Sequence, residues 1–253
     1  MRAEERKHRI LVLARQEGRV DVAKVAADFG VAPETIRRDL SELQRHGLVR
    51  RTHGGAYPVE SAGFETGLAQ RVNRNVENKQ RIAAEAVKLL GDAETLFIDE
   101  GYTPQILAGL LPVDRPLTVV TASLTTAAAV ADSAHLTVLL LGGRVRARTL
   151  ATVGSWACSM LGGFVIDLAY LGSNGITREQ GLTTPDPVVA DVKAKAIEVS
   201  RRRVFMGDHS KFGVSSFCRF AQVSEFEAIV TDTGLPNAEA RRYSLLGPTV
   251  IRV

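Results

Sequence analysis

Residues 32–40 read APETIRRDL, with Arg37 and Arg38 set side by side between apolar residues at helical spacing. Pro33 suits the first turn of a helix, where its missing N–H has no partner to lose. At roughly 100° per residue, Ile36, Leu40 and Leu43 share one face, while Glu34, Arg38, Ser41 and Arg45, flanked by Thr35 and Arg37, share the other. The outward face is therefore cationic and rich in hydrogen-bond donors. Glu34 and Arg38, and Arg38 and Glu42, also stand at i, i+4, so plain surface ion pairs compete with a functional reading. The flanking segments decide between the two.

Upstream, RKHRILVLARQEG carries Ile10, Leu13 and Ala14 at core spacing and stops at Gly18, which reads as a first helix. DVAKVAADFG, residues 21–30, reads as a second, with Asp21 as N-cap, Val22, Val25, Ala26 and Phe29 on one face, and Gly30 as terminator. About three residues then separate it from the APETIRRDL helix, the spacing of a helix-turn-helix. Downstream, Gly47 reads as the stop of the third helix with Leu48 as its hydrophobic contact. LVRRTHGGAY, residues 48–57, reads as two short strands around Gly54 and Gly55 that carry Arg50, Arg51 and His53. A cationic third helix followed by a basic hairpin fits duplex DNA: helix in the major groove, hairpin cations on phosphate.

The run VAPETIRRDLSELQRHGLVRRTHGGA, residues 31–56, resembles the N-terminal signature of the DeoR family of bacterial transcriptional regulators, with Ala32 where that family commonly has serine. The resemblance implies a winged helix-turn-helix at residues 1–57. The expected DNA-contacting residues are Thr35, Arg37, Arg38, Ser41, Arg45, Arg50, Arg51, His53, Gly54 and Gly55.

Charge supports that division. The 253-residue chain has a net charge of +4, and residues 1–57 hold twelve Lys and Arg against eight Asp and Glu, leaving twenty of each for the remainder. A basic head on a neutral body suggests a polyanion-binding module joined to something with another task, and the excess is too small for a protein that wraps DNA nonspecifically. No stretch reaches the roughly 18 apolar residues of a membrane span, and the start lacks the apolar run of a secretory signal, so a cytoplasmic protein is expected. Cys158 and Cys218, with no CxxC pattern, read as small buried thiols rather than a disulfide or zinc framework. No cofactor or metal is implied.

Residues 58–78 read as a linker that starts small and polar, with helical core spacing established by Ile82, Ala86 and Leu89. Residues 79–253 then alternate apolar strands (TLFID, LTVVT, LTVLLLGG, DLAYLG, RRVFMGD, EAIVTD, TVIRV) with helical stretches. That alternation is the pattern of a doubly wound, mainly parallel α/β sheet, and such sheets bind ligands beyond the carboxyl ends of their strands. Polar loops recur at those ends. Thr103 is expected to cap a helix starting at Pro104, and Ser123 to cap another. Gly142-Gly143 precede Arg144, Arg146 and Arg148; GSNG stands at 172–175, GLTTPD at 181–186 with Lys193 beyond it, and Asp208 and Lys211 lie in GDHSKFG. Glycine loops, cations and hydroxyls at one rim suit a small phosphorylated polyol or sugar. Trp156 and Met160 read as core.

LFIDEGYTP, VVTASL, LLGGRVRARTLATVG, YLGSNGI, GLTTPD, VKAKAI and GDHSKFG resemble, in order, the effector domain of the same family, whose fold is related to ribose-5-phosphate isomerase and glucosamine-6-phosphate deaminase. By that resemblance Asp99, Gly101, Tyr102, Thr103, Ser123, Gly142, Arg146, Gly175, Asp186, Lys193, Asp208 and Lys211 are expected around a sugar-phosphate pocket. Three positions depart from the pattern: Tyr102 replaces a small hydroxyl residue, Ala122 an asparagine and Val189 a glutamate. The expectation is a sequence-specific DNA-binding regulator of sugar catabolism, most simply a repressor, working as a homodimer or tetramer assembled through its body. The competing expectation is a sugar-phosphate isomerase or deaminase with an accessory DNA-binding head, motivated by Asp99, Asp186, Lys193 and Asp208 at strand ends.

Overall fold

Asp21 sets the start of the second helix in the head: its carboxylate accepts hydrogen bonds from the amides of Ala23 at 2.9 Å and Lys24 at 3.1 Å. The computed structural model describes residues 1, 3–17, 19–45, 48–52, 54–58, 72 and 74–253, and the chain divides into two units, Met1–Thr66 and Gly67–Val253. Gly18 and Gly47, and most of the 58–78 linker, lie outside the described residues.

The first unit contains helices α1 (Ala3–Glu17), α2 (Val22–Phe29) and α3 (Pro33–Arg45), with strands β1 (Val20–Asp21), β2 (Val49–Thr52) and β3 (Gly55–Pro58). Gly30 ends α2 in the left-handed conformation that glycine adopts without strain. The strands form an antiparallel sheet in the order β1-β3-β2, so the hairpin read from the sequence gains a third strand. Gly55 pairs with Asp21, and a side chain there would meet the Val20 carbonyl at 2.2 Å. The core is Ile10, Leu11, Ala14, Val20, Val22, Val25, Ala26, Ile36, Leu40, Leu43, Val49 and Ala56. Asp39, buried in α3, is gripped by Arg6 of α1 through Nε at 2.5 Å and Nη2 at 3.1 Å, and the hydrogen bond to Asp39 raises the Arg6 pKa further. This fork fixes α1 across α3, which leaves the neighbouring arginines on the free face.

The second unit is built on seven parallel strands: β4 (Thr95–Ile98), β5 (Leu117–Thr121), β6 (Leu136–Leu140), β9 (Ile166–Leu171), β12 (Ser200–Met206), β14 (Ala228–Thr231) and β15 (Thr249–Arg252). Their order is β6-β5-β4-β9-β12-β14-β15. The chain builds outward from β4 to β6, returns to lay β9 beside β4, and builds outward the other way, so the topological switch point lies between β4 and β9. Both faces of this sheet are covered, which explains the continuous apolar runs. Leu96, Ile98, Leu168 and Tyr170 pack under helices α4 (Val76–Ala86), α5 (Tyr102–Ala108) and α6 (Leu124–Val130), while Phe97, Ala169 and Leu171 pack under α7 (Ser155–Gly162), α8 (Pro187–Val199) and α9 (Asn237–Ser244). A hairpin of β7 (Arg144–Arg146) with β8 (Ala151–Val153), and an antiparallel sheet ordered β10-β11-β13 (Gly175–Thr177, Gly181–Thr184, Cys218–Ala221), complete the unit. Among the described residues no helix is long and apolar enough to cross a membrane.

Three local expectations are corrected. Helix α5 starts at Tyr102 with Gly101 as its N-cap, so Thr103 is a buried first-turn residue and not the cap. Trp156 and Met160 are not core, because α7 turns Ala157 and Leu161 to the sheet and leaves Trp156 75 % and Met160 45 % exposed. Cys158 and Cys218 are free and only partly buried; burial pushes both thiols above the ordinary value.

Candidate functional site

In the head, α3 and the hairpin form one surface. Ser41 donates to the Arg37 carbonyl at 2.8 Å and accepts from Arg51 Nη1 at 2.6 Å, tying the hairpin to α3. Glu34 pairs with Arg37 at 3.0 Å, and Glu42 with Lys7 at 3.0 Å and Arg45 at 3.8 Å. Arg38 therefore forms neither i, i+4 ion pair, and among the described residues it makes none; its guanidinium stands exposed beside Arg37 and Arg45. Thr35 is half-buried at the start of the same helix, and Gly54 stands in the turn at the hairpin end with Gly55 opening β3. His53 and the Arg50 side chain lie outside the described residues. An exposed guanidinium fork on a helix of this placement can bind guanine edges or phosphates.

In the body, the switch point holds an open, polar cleft at the carboxyl ends of the strands, where doubly wound sheets bind ligands. Gly101, Tyr102 and Thr103 reach it from the end of β4, Ser173 and Asn174 from the end of β9, Asp208 and Lys211 from beyond β12, Lys193 from α8 and Lys79 from α4. Lys193 is buried. Its ammonium forms an ion pair with buried Asp99, donates to the Gly172 carbonyl at 3.3 Å and lies 5.5 Å from the centre of the Phe220 ring. Asp99 also accepts from the Gly172 amide at 2.9 Å, so one carboxylate orients both the lysine and the loop after β9. Lys79 donates to the Arg74 carbonyl at 2.5 Å and lies 5.8 Å from the centre of the Tyr102 ring, an arrangement that holds the cation over an aromatic face. Burial works against the Asp208 carboxylate, but the charge of Lys211, the Ser210 hydroxyl, the charge of Lys79 and the Ser210 amide together hold it below the ordinary value. Asn75, at φ 50°, also donates to Asp208 at 3.1 Å. The Ser173 hydroxyl is buried at the cleft and has no hydrogen-bond partner among the described residues.

Other expected residues sit elsewhere. Arg146 and Asp186 pair with each other at 2.7 Å, and Asp186 caps α8 by accepting from the Val188 amide. Ser123 caps α6, accepting from the Thr126 amide at 3.1 Å. Gly175 is a packing residue: a side chain there would meet the Val214 carbonyl at 2.2 Å. Gly142 donates its amide to Met160 Sδ at 3.1 Å. None of these five lines the switch-point cleft. Conversely Lys79 lines it without having been expected there, and Glu100, Ser173 and Asn174 line it from rim loops read in the sequence although they were not among the expected effector-binding residues. Asp99, Glu100, Ala122, Val189 and Lys193 share a small adjoining pocket, so two of the unusual positions give its wall an apolar character. Asp208, His209 and Asp232 bring atoms of metal-ligand type within 4.8 Å of one another. Asp232, however, accepts from the amides of His209 and Gly234 and faces the His209 ring at 2.8 Å, which makes the cluster a clamp on its loop.

A helix-turn-helix head with exposed arginines and a lysine-lined cleft at the switch point of the body fit a transcriptional regulator carrying a sensor domain. Residues 6–62 match the DeoR-like helix-turn-helix domain and residues 74–233 the DeoR C terminal sensor domain. The chain belongs to the DeoR family of transcriptional regulators. It is 36 % identical over 247 residues to the HTH-type transcriptional regulator GlpR of Haloferax volcanii, covering 98 % of this chain and 96 % of that one. It is 33 % identical over 236 residues to the glycerol-3-phosphate regulon repressor of Escherichia coli, covering 93 % of each. Among solved structures, ribose 5-phosphate isomerase A of Methanocaldococcus jannaschii aligns over 55 % of each chain at 17 % identity and a TM-score of 0.39.

Proposed function

We propose that the switch-point cleft binds a small phosphorylated polyol or sugar, and that its occupancy changes the affinity of paired heads for an operator beside sugar-catabolic genes. The convergence of Lys79, Lys193 and Lys211 on one small cleft carries this reading. Lys79, Lys211 and the Asp99-paired Lys193 bring positive charge to a phosphate beside the carboxylates of Glu100 and Asp208, while Asn174 and the Ser173 hydroxyl, which has no partner among the described residues, offer hydrogen bonds to ligand hydroxyls. The names of the relatives, one of them a glycerol-3-phosphate regulon repressor, support a phosphorylated three-carbon or sugar ligand. In the head, Thr35, Arg37, Arg38, Ser41 and Arg45 read the groove, and Arg51 with the hairpin turn at Gly54 and Gly55 holds phosphate. The protein acts in the cytoplasm as a repressor, and two heads at fixed spacing require a homodimer or tetramer.

Ligand acts only through its different affinities for two arrangements of the heads. A hundred-fold change in operator affinity corresponds to about 2.7 kcal/mol of coupling. A thermal-shift series with sugar and polyol phosphates, each beside its unphosphorylated counterpart, tests the cleft: stabilisation by the phosphorylated member alone is expected, and equal or absent shifts reject the assignment. The regulator names of the relatives favour binding over catalysis. The ion pair that occupies Lys193 and Asp99, and the apolar Val189, also favour it. Turnover of an aldose phosphate by the purified protein would restore the enzymatic reading.

A further inference from the structure

Helix α7 presents an apolar face that its own unit does not use. Ala157 and Leu161 are buried against the sheet, whereas Trp156 and Met160, one turn apart on the outer face, are exposed. The patch continues onto β6. Met160 Sδ accepts the Gly142 amide immediately beyond that strand, and Leu139 and Leu140 at the strand's end are themselves exposed. Among the described residues strand β6 pairs only with β5 and forms one edge of the seven-stranded sheet, β15 being the other. A free edge ending in leucines, with no lysine or proline to blunt it, is ordinarily covered by something.

The geometry points to a second copy of this chain as the cover, packed α7 against α7 with the β6 edges alongside about a two-fold axis. Charge decides in favour of self-association. Residues 136–143 and 149–166, which build the edge and the helix, contain no Asp, Glu, Lys, Arg or His, and the nearest charges, Arg144, Arg146 and Arg148 of the intervening hairpin and Asp191 and Lys195 of α8, stand at the border of the strip. A two-fold contact sets each surface against its own image, so a charge near the axis would meet its like; this strip brings none. An exposed helix of a soluble unit without a single charge matches the apolar, charge-depleted centre of a permanent homodimer interface, with Trp156 as its aromatic anchor. The choice of a second copy also rests on the regulator reading above, since groove-reading heads work in pairs at half-site spacing.

Trp156 is the only tryptophan of the chain, so its fluorescence reports this surface directly. Sedimentation velocity and acrylamide quenching of the full-length protein are followed over the same dilution series. The expected result is an oligomer with a shielded, blue-shifted tryptophan at high concentration, and a red shift with several-fold stronger quenching as the monomer appears. Trp156→Glu is expected to weaken self-association by about thirty-fold or more, with Met160→Lys as an independent variant should the first compromise folding. An oligomer whose tryptophan is quenched as freely as in the denatured chain overturns the proposal, as does a monomer at all concentrations or an undiminished oligomer in both variants. Operator binding, measured separately, distinguishes the two failures: loss of operator recognition with a shielded tryptophan counts against the head reading, not against this interface.

Discussion

The same residue types do opposite work in the two units. On α3 of the head, Arg37, Arg38 and Arg45 stand in solvent, Arg37 and Arg45 on exposed acids and Arg38 on none among the described residues. In the body, Lys193 is buried on Asp99 and Lys79 is buried against the Arg74 carbonyl. An exposed guanidinium on a rigid helix retains its hydration until a polyanion arrives, and contributes little to folding. A buried ammonium must be neutralised by its own fold, and what charge remains at the cleft is shared by a few fixed neighbours. The contrast suits a head that meets DNA and, on the proposed reading, a body that meets a single small anion.

The contrast breaks most visibly at Lys193. Lys193→Ala strands the buried Asp99 carboxylate and is expected to cost about 3–5 kcal/mol in urea unfolding of the body, whereas Arg38→Ala should leave stability within about 0.5 kcal/mol. Equal stability losses at the two sites would dissolve the distinction. On operator DNA the ranking reverses: Arg38→Ala, and likewise Arg37→Ala, is expected to lose about 1–3 kcal/mol of affinity and to relax base preference, while Arg51→Ala weakens all sequences alike and lowers the salt slope by about one.

A third difference concerns pH. The Asp208 carboxylate is held below its ordinary value of 3.8, so its contribution to the folded body is complete above that value and is lost as the pH falls through the depressed one. Asp208→Asn should lower the neutral plateau of body unfolding and flatten its acid limb below pH 3.8, because the charge that stabilises the fold at neutral pH is the one lost in acid. The smallest effect is expected at Tyr243, whose hydroxyl donates to the Ile176 carbonyl at 3.1 Å and whose pKa burial pushes up to about 12. The neutral phenol stabilises the fold below pH 10, and that contribution drains between pH 10 and 12. Tyr243→Phe should cost about 1 kcal/mol at neutral pH and remove that part of the alkaline decline, read by thermal melts across the range.

Most of the head was legible in sequence because its signals are local: a cap at Asp21, a stop at Gly30, a proline at the first turn and 3.6-residue periodicity fall within one short run. The seven strands were legible for a related reason, since a sheet buried on both faces writes continuous apolar segments. The cleft was legible only in part. Loops at strand ends announced Gly101, Asp208 and Lys211, and the helix after one of them Lys193, but Lys79 of α4 arrives through topology, with Asn75 just before it supporting Asp208, and neither carries a local mark. Arg146 and Asp186 have the right chemistry at the right kind of loop, yet each answers the other. Trp156 misled because SWACSMLG is apolar all round, and hydrophobicity cannot say which side of such a helix faces the sheet.

The most direct test of a sensing body joined to a DNA-reading head is fluorescence anisotropy on the promoter adjoining this gene and on a scrambled duplex, with and without phosphorylated polyols and sugars. The expected result is preferential, salt-sensitive binding to the promoter that at least one phosphorylated compound shifts many-fold and its unphosphorylated counterpart does not. Equal binding to both duplexes, unmoved by every phosphorylated compound, would contradict it.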